Sequence, residues 1–227
     1  MGSVTTAQRR ASRPRADALR NRERIIDAAS EMFIEYGPDV PMDEIARRAG
    51  IGNATLYRHF PDRTELMWEV VLYVADHVAS LAEEANEAAE AEGGDAFDAL
   101  RTFVHAAVEA RIGALCPILT PGFDKDRAEL AAQRHRFTDA LERLMRRARD
   151  SGRLRPDVGV GDLMVALTQL ARPLPGTNCV GIGRFVHRHL QLFLDGLMTP
   201  GRSELPGTAA TLEDLKKEKC VPRTANR

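Results

Sequence analysis

Long apolar runs are missing from this chain of 227 residues: nowhere do 18 consecutive apolar residues occur, which excludes an ordinary membrane-spanning helix. The first 24 residues carry arginines where a secretory leader would carry an apolar stretch and a cleavage site, so a cytoplasmic protein with no membrane partner is expected. Cysteine is sparse. Cys116, Cys179 and Cys220 are odd in number, far apart and without CxxC spacing, which argues against a zinc site or a dithiol redox pair. Aromatic residues make up only 5% of the chain, so aliphatic contacts must carry the packing. Lysine is nearly absent, with four residues against 28 arginines.

Catalytic signatures are lacking too. There is no GxSxG, HExxH, phosphate-loop or dinucleotide pattern, and the reading is of a protein that is not an enzyme and needs no cofactor. His187 and His189 stand two apart, about 200° around a helix, and cannot share an ion, so no metal site is expected.

The chain is 44% hydrophobic and 29% charged, as a globular protein should be, and its net charge of −1 hides an asymmetry. Residues 1–24 hold seven arginines (9, 10, 13, 15, 20, 22 and 24) against Asp17 and Glu23, so positive potential gathers where a phosphate backbone would feel it. Residues 1–18 lack apolar periodicity around Pro14 and read as a flexible basic arm.

Helical periodicity begins at Leu19. Ile25, Ile26, Ala29, Phe33 and Tyr36 recur at helical intervals and stop at Gly37-Pro38, a strong helix terminator. Pro41 suits the start of a short second helix striped by Ile45, Ala46 and Ala49, and Gly50 ends it. After Gly52, Leu56 and Phe60 give a third helix its apolar side; Pro61 closes it, and Asp62 can cap the next. That fourth helix runs from about Arg63 to Ala91. Further helices are expected near 95–111, 121–151, 160–172 and 178–198, separated by Gly or Pro clusters. Residues 199–227 read as a mostly disordered tail, in which Thr211 and Asp214 have capping-box spacing.

The segment Met42–Phe60 carries the functional signal. Two short helices joined by a tight glycine turn can set one helix across the phosphate backbone and the other into the major groove. Residues in the N-terminal half of the third helix then face base edges. Asn53, Ala54 and Thr55 are the first candidates, with Arg58 a further one: Asn pairs with adenine, Ala and the Thr methyl touch thymine, and Arg reads guanine. Arg48 joins the candidate DNA contacts, although a solvated face also suits Arg47 and Arg48.

The run DEIARRAGIGNATLYRHFPDRTEL resembles the signature of the TetR family of transcriptional regulators, a resemblance that covers about residues 19–75. It implies an all-α fold: a three-helix helix-turn-helix domain over 19–63, and a helical ligand-binding and dimerisation domain over 64–198. It also implies that Tyr57 and His59 contact phosphates, joined by Arg63. Three positions depart from the family pattern. Pro41 replaces a frequent Thr and cannot supply a hydroxyl contact, Arg63 replaces a frequent Lys and keeps the charge, and His59 replaces a frequent Tyr.

One such unit reads few base pairs, so a double-stranded DNA operator with two-fold symmetry and a homodimer are expected. The resemblance points to the last two long helices, about 160–172 and 178–198, as the dimer interface. It also points to a cavity for an unidentified small-molecule effector within about 95–151, for which Trp68, Phe103, His105, Arg111, Cys116, Phe137 and Met164 are the candidate lining residues. A repressor released by ligand is the function this implies. A ligand-independent regulator, an activator and a helical protein-interaction module share the same pattern.

Overall fold

The computed structural model describes residues 6–119, 123–124, 127–171, 183–201, 203–212 and 214. They are all-α, as expected; among them a lone antiparallel bridge between Leu154 and Met198 is the whole of the β-structure. In chain order the helices are α1 (Thr6–Tyr36), α2 (Met42–Ala49), α3 (Asn53–His59), α4 (Arg63–Glu90), α5 (Ala96–Glu109), α6 (Leu115–Ile118), α7 (Ala128–Asp150), α8 (Val160–Leu170) and α9 (Gly183–Gly196). They form two compact units, one comprising residues up to Val74 with 114–130, the other 75–113 with 131 onward. The expected boundary at 63/64 falls in the first turn of α4, a continuous helix that begins in one unit and ends in the other.

In the first unit, Ile25, Ile26, Ala29 and Phe33 of α1 are fully buried together with Ile45 and Ala46 of α2, Leu56 of α3 and Leu66 of α4. These are the apolar positions of four successive amphipathic helices, and their common burial is what orients α2 and α3. Tyr36 has the right spacing for this face but stands in the last turn of α1, where it is exposed. The expected arm differs more. Its backbone is helical from Thr6, where Ala7, Gln8, Arg9, Arg10 and Ala11 are good helix formers that offset the cost of Pro14 inside the helix.

The second unit is built round Phe97, Leu100, Phe103 and Val104 of α5, Leu141, Leu144 and Met145 of α7, Leu163 and Leu167 of α8, and Leu190 and Leu194 of α9. Asp95 caps α5, its Oδ1 accepting from the backbone N–H groups of Phe97 and Asp98, both at 2.9 Å. Helix α9 packs against both α5 and α8. Of its expected apolar stripe, Val186, Leu190 and Leu197 are buried, whereas Phe185 and His189 are exposed, one helical step round.

The expected α7 over 121–151 starts later, at Ala128, and the expected connector 112–123 contains a 3-10 turn (Ile112–Ala114) and α6. Of the expected last helix, 178–182 lie outside the described residues.

Part of the expected tail, within residues 203–210, is held to the second unit. The Gly161 N–H donates to the Ala210 carbonyl at 2.8 Å, and the Ala210 N–H donates to Asp162 Oδ2 at 3.1 Å. Arg155, itself buried, donates to the Ser203 carbonyl at 2.6 Å and grips Asp157 with both Nε and Nη2. Residues 203–210 thus dock through backbone groups, which composition does not reveal. Thr211 and Asp214 make the reciprocal bonds of a capping box.

Candidate DNA-binding surface

The turn between α2 and α3 is set by Gly50, whose φ of 65° and ψ of 39° lie in the left-handed region. That conformation lets the Ile51 N–H return to the Ala46 carbonyl at 3.0 Å, closing α2 and redirecting the chain. Gly52 then leads into α3 in an extended conformation, its carbonyl accepting from the Thr55 N–H at 2.9 Å.

Burial sorts the seven residues of α3 by face. Leu56 is fully buried, and Phe60 just beyond the helix is 1% exposed. Asn53, Ala54, Tyr57 and Arg58 are exposed, and Thr55 and His59 are half-buried. Asn53 and Tyr57 are four apart, as are Ala54 and Arg58, so they form two adjacent rows on the outer surface. Of the four sequence-predicted reading residues, Asn53, Ala54 and Arg58 therefore share one solvent-facing surface, while Thr55 is half-buried.

The arginines around this surface divide by task. Arg48 donates to Glu31 at 3.1 Å and Glu35 at 2.9 Å, both on α1; these carboxylates hold its guanidinium charged and tie α2 to α1. Arg22 pairs with Glu69 of α4 and lies 5.6 Å from the Phe60 ring centre. Arg24 donates to the Gly50 carbonyl at 3.2 Å, and Arg47 pairs with Glu44 in its own helix. Arg63 donates through Nη1 to the carbonyls of Pro38, at 2.7 Å, and Val40. Among the described residues Arg58 makes no hydrogen bond or ion pair. Arg22 and Arg24, counted from sequence only as part of the basic N-terminus, each engage a group of this unit, the Glu69 carboxylate and the Gly50 carbonyl.

The surroundings of His59 disfavour its charged form. Partial burial comes first and the positive charges of Arg58 and Arg22 follow, and together they lower its pKa below the ordinary imidazole value. Its Nε2 is buried without a hydrogen-bond partner among the described residues. Asp62 caps α4 as expected, accepting from the Glu65 N–H at 2.9 Å.

The candidate effector residues fall in both units. Trp68, in the first, is buried, stacked on Phe123 at 5.2 Å with the Arg127 guanidinium 4.1 Å from its ring centre. Cys116 lies in α6, and its side chain is outside the described residues. In the second unit Phe103 and Phe137 meet at 6.1 Å, both buried, and Met164 is half-buried on α8. Arg111 lies just beyond the end of α5 with a φ of 59°. His105 meets His187 of α9, Nδ1 to Nδ1 at 2.8 Å. A surface cavity of about 440 Å³ lies elsewhere, lined by Met32, Tyr36, Val40, Glu44, Arg47 and Arg48.

A short helix with an apolar inner side, an exposed polar outer side and a glycine turn behind it defines a helix-turn-helix protein. Residues 25–70 match the family of bacterial regulatory proteins called tetR, and residues 94–199 match the C-terminal domain of SbtR-like transcriptional regulators. A TetR transcription regulatory protein from Mycobacterium vanbaalenii is 32% identical, the alignment covering 81% of this chain and 98% of that one with a TM-score of 0.52. The chain belongs to the TetR family.

The TetR-like regulator LfrR from Mycobacterium smegmatis, solved in complex with proflavine, shares the fold at 23% identity and a TM-score of 0.52, over 76% of this chain and 94% of that one. An HTH-type transcriptional regulator of Staphylococcus aureus is 45% identical over 58 residues; the match takes in 25% of this chain and 31% of that protein. No described helix is long and apolar enough to cross a membrane.

Proposed function

We propose that this protein is a sequence-specific transcriptional regulator that binds a two-fold operator as a homodimer and is released from it by a small molecule. The observation that carries the reading is the outer face of α3, where Asn53, Ala54, Tyr57 and Arg58 are exposed while Leu56 anchors the helix from behind. Asn53, Ala54, Thr55 and Arg58 read base edges, and Tyr57 and His59 meet phosphates. Arg63 and Arg48, whose donors hold carbonyls and carboxylates of the same unit, position the reading helix, with Arg63 lending charge at the head of α4.

Exposed Val165 on α8 and Leu192 on α9, 46% and 60% accessible, support the dimer. Apolar side chains left on adjacent helices favour a self-complementary two-fold contact. The effector reading is supported by the match over residues 94–199 and by the Phe103–Phe137 pair, the apolar wall such a cavity would need. The effector acts by binding the DNA-incompetent arrangement better than the competent one.

Operator selection from random duplexes, followed by mobility shifts at several salt concentrations, tests the reading. Arg58→Ala changes the preferred bases at one position of each half-site, at a cost of about 1–3 kcal/mol for the original site. Arg63→Ala weakens all sequences alike. An association constant that does not change with salt overturns the assignment, because phosphate contacts must release counterions.

A further inference from the structure

Between α5 and α9 three polar side chains form a chain of contacts that DNA recognition does not use. His105 and Glu109 are four apart on one face of α5. His187 of α9 points its Nδ1 at His105 Nδ1, 2.8 Å away, and its Nε2 at Glu109 Oε1, 2.7 Å away. The two imidazole rings are tilted by 33° with centroids 5.0 Å apart. The side chains of His187 and Glu109 are 41% and 74% exposed, so the cluster is open to ions.

We propose that His105 and His187 bind a divalent transition-metal ion through their Nδ1 atoms, with Glu109 orienting His187 from behind. Two features of the geometry point this way. A ligating imidazole characteristically donates its other N–H to a carboxylate, which fixes the tautomer and strengthens the ligand, and His187 has that partner. The separation also fits. Two nitrogens bound at about 2.0 Å and subtending roughly 90° stand about 2.8 Å apart, whereas a tetrahedral pair needs about 3.3 Å.

The site therefore suits a cis pair in tetragonal or octahedral coordination, the preference of Ni2+ and Cu2+ among imidazole-binding ions. No third His, Cys, Asp or Glu completes a metal cluster among the described residues, so water fills the other positions and binding is exchangeable. The bound ion joins α5 to α9, the helix that carries exposed Leu192.

The test is titration of the tag-free, full-length protein with Ni2+ by calorimetry, and with Cu2+ by electron paramagnetic resonance. One Ni2+ per chain is expected, with two nitrogens coupled to Cu2+. His105→Ala and His187→Ala each lower Ni2+ affinity at least tenfold, and Glu109→Gln lowers it about tenfold or more. His135→Ala leaves it unchanged, although His135 pairs with Asp139 at the same spacing on α7.

Circular dichroism confirms that each variant is folded. Glu109 is exposed, so Glu109→Gln provides a folded variant even if a histidine substitution perturbs α5 or α9. Binding within twofold of the parent in both histidine variants, or in Glu109→Gln, overturns the proposal, as does an equal loss in His135→Ala. The histidine contact is then a hydrogen bond alone. Because the readout is the ion, failure here leaves the DNA-binding reading intact.

Discussion

Replacing Gly50 by alanine tests the left-handed turn between α2 and α3. Two costs are separable at this residue. Its φ of 65° is left-handed, and an L side chain there costs about 1–2 kcal/mol, partly offset by up to about 1 kcal/mol because alanine restricts the unfolded chain. An added Cβ would also come within 2.7 Å of Arg24 Nη2, the group that donates to the Gly50 carbonyl at 3.2 Å. That atom ends a flexible side chain and swings away cheaply, forfeiting one exposed hydrogen bond worth about 0.5 kcal/mol. The net loss is about 1–2 kcal/mol, mostly backbone.

Hydrogen exchange of the α2 and α3 amides reads this locally, and exchange should accelerate about 5- to 30-fold. Repeating Gly50→Ala in an Arg24→Ala background separates the two costs. If the backbone dominates, the loss is the same in both backgrounds to within about 0.5 kcal/mol. Gly50→Asn should cost less than Gly50→Ala, because asparagine tolerates left-handed φ. Equal exchange rates in Gly50→Ala and the parent would refute the claim that this turn requires glycine, and full recovery in the Arg24→Ala background would assign the loss to the clash instead.

Three further predictions concern caps, charge and the tail. Asp95→Ala removes the cap of α5 and should lower stability by about 1 kcal/mol, read as a lower urea midpoint at unchanged slope. His59 has a folded pKa below its unfolded value, so the unfolded state takes up the proton first. Stability is therefore retained above about pH 6.5 and lost as pH falls toward the lowered value. His59→Gln should flatten that part of the profile, and identical profiles for the two proteins would sink the reasoning. Arg155→Met frees the Ser203 carbonyl and the Asp157 carboxylate, so limited proteolysis within 203–210 should quicken while cleavage of α3 does not.

What was legible in the sequence is what depends on neighbours in the chain. Gly37, Gly50 and Pro61 punctuate helices through φ restrictions that act within a few residues, and Ile45, Leu56 and Phe60 disclose a buried side through spacing alone. Partners remote in sequence were not legible. Nothing in the spacing of His187 and His189 discloses that His187 meets His105, 82 positions away. Docking of residues 203–210 was hidden for a related reason: on the tail side it uses the Ser203 carbonyl and the N–H and carbonyl of Ala210, backbone groups that residue type does not disclose.

The arginines show how the same limit bears on the candidate site. By residue type Arg22, Arg24, Arg47, Arg48, Arg58 and Arg63 are equivalent cations near a helix-turn-helix, and sequence assigned Arg48, Arg58 and Arg63 to DNA. In the folded unit the donors of five of the six go to carboxylates or carbonyls of the protein. An arginine whose planar fork is already engaged must break those bonds before it can lie flat against a guanine edge. Among the described residues Arg58 has none to break, and it stands on the outer row of α3 beside Tyr57. On the proposed reading, base discrimination by arginine should therefore concentrate at Arg58, while the paired arginines should act by holding α2, α3 and α4 in place.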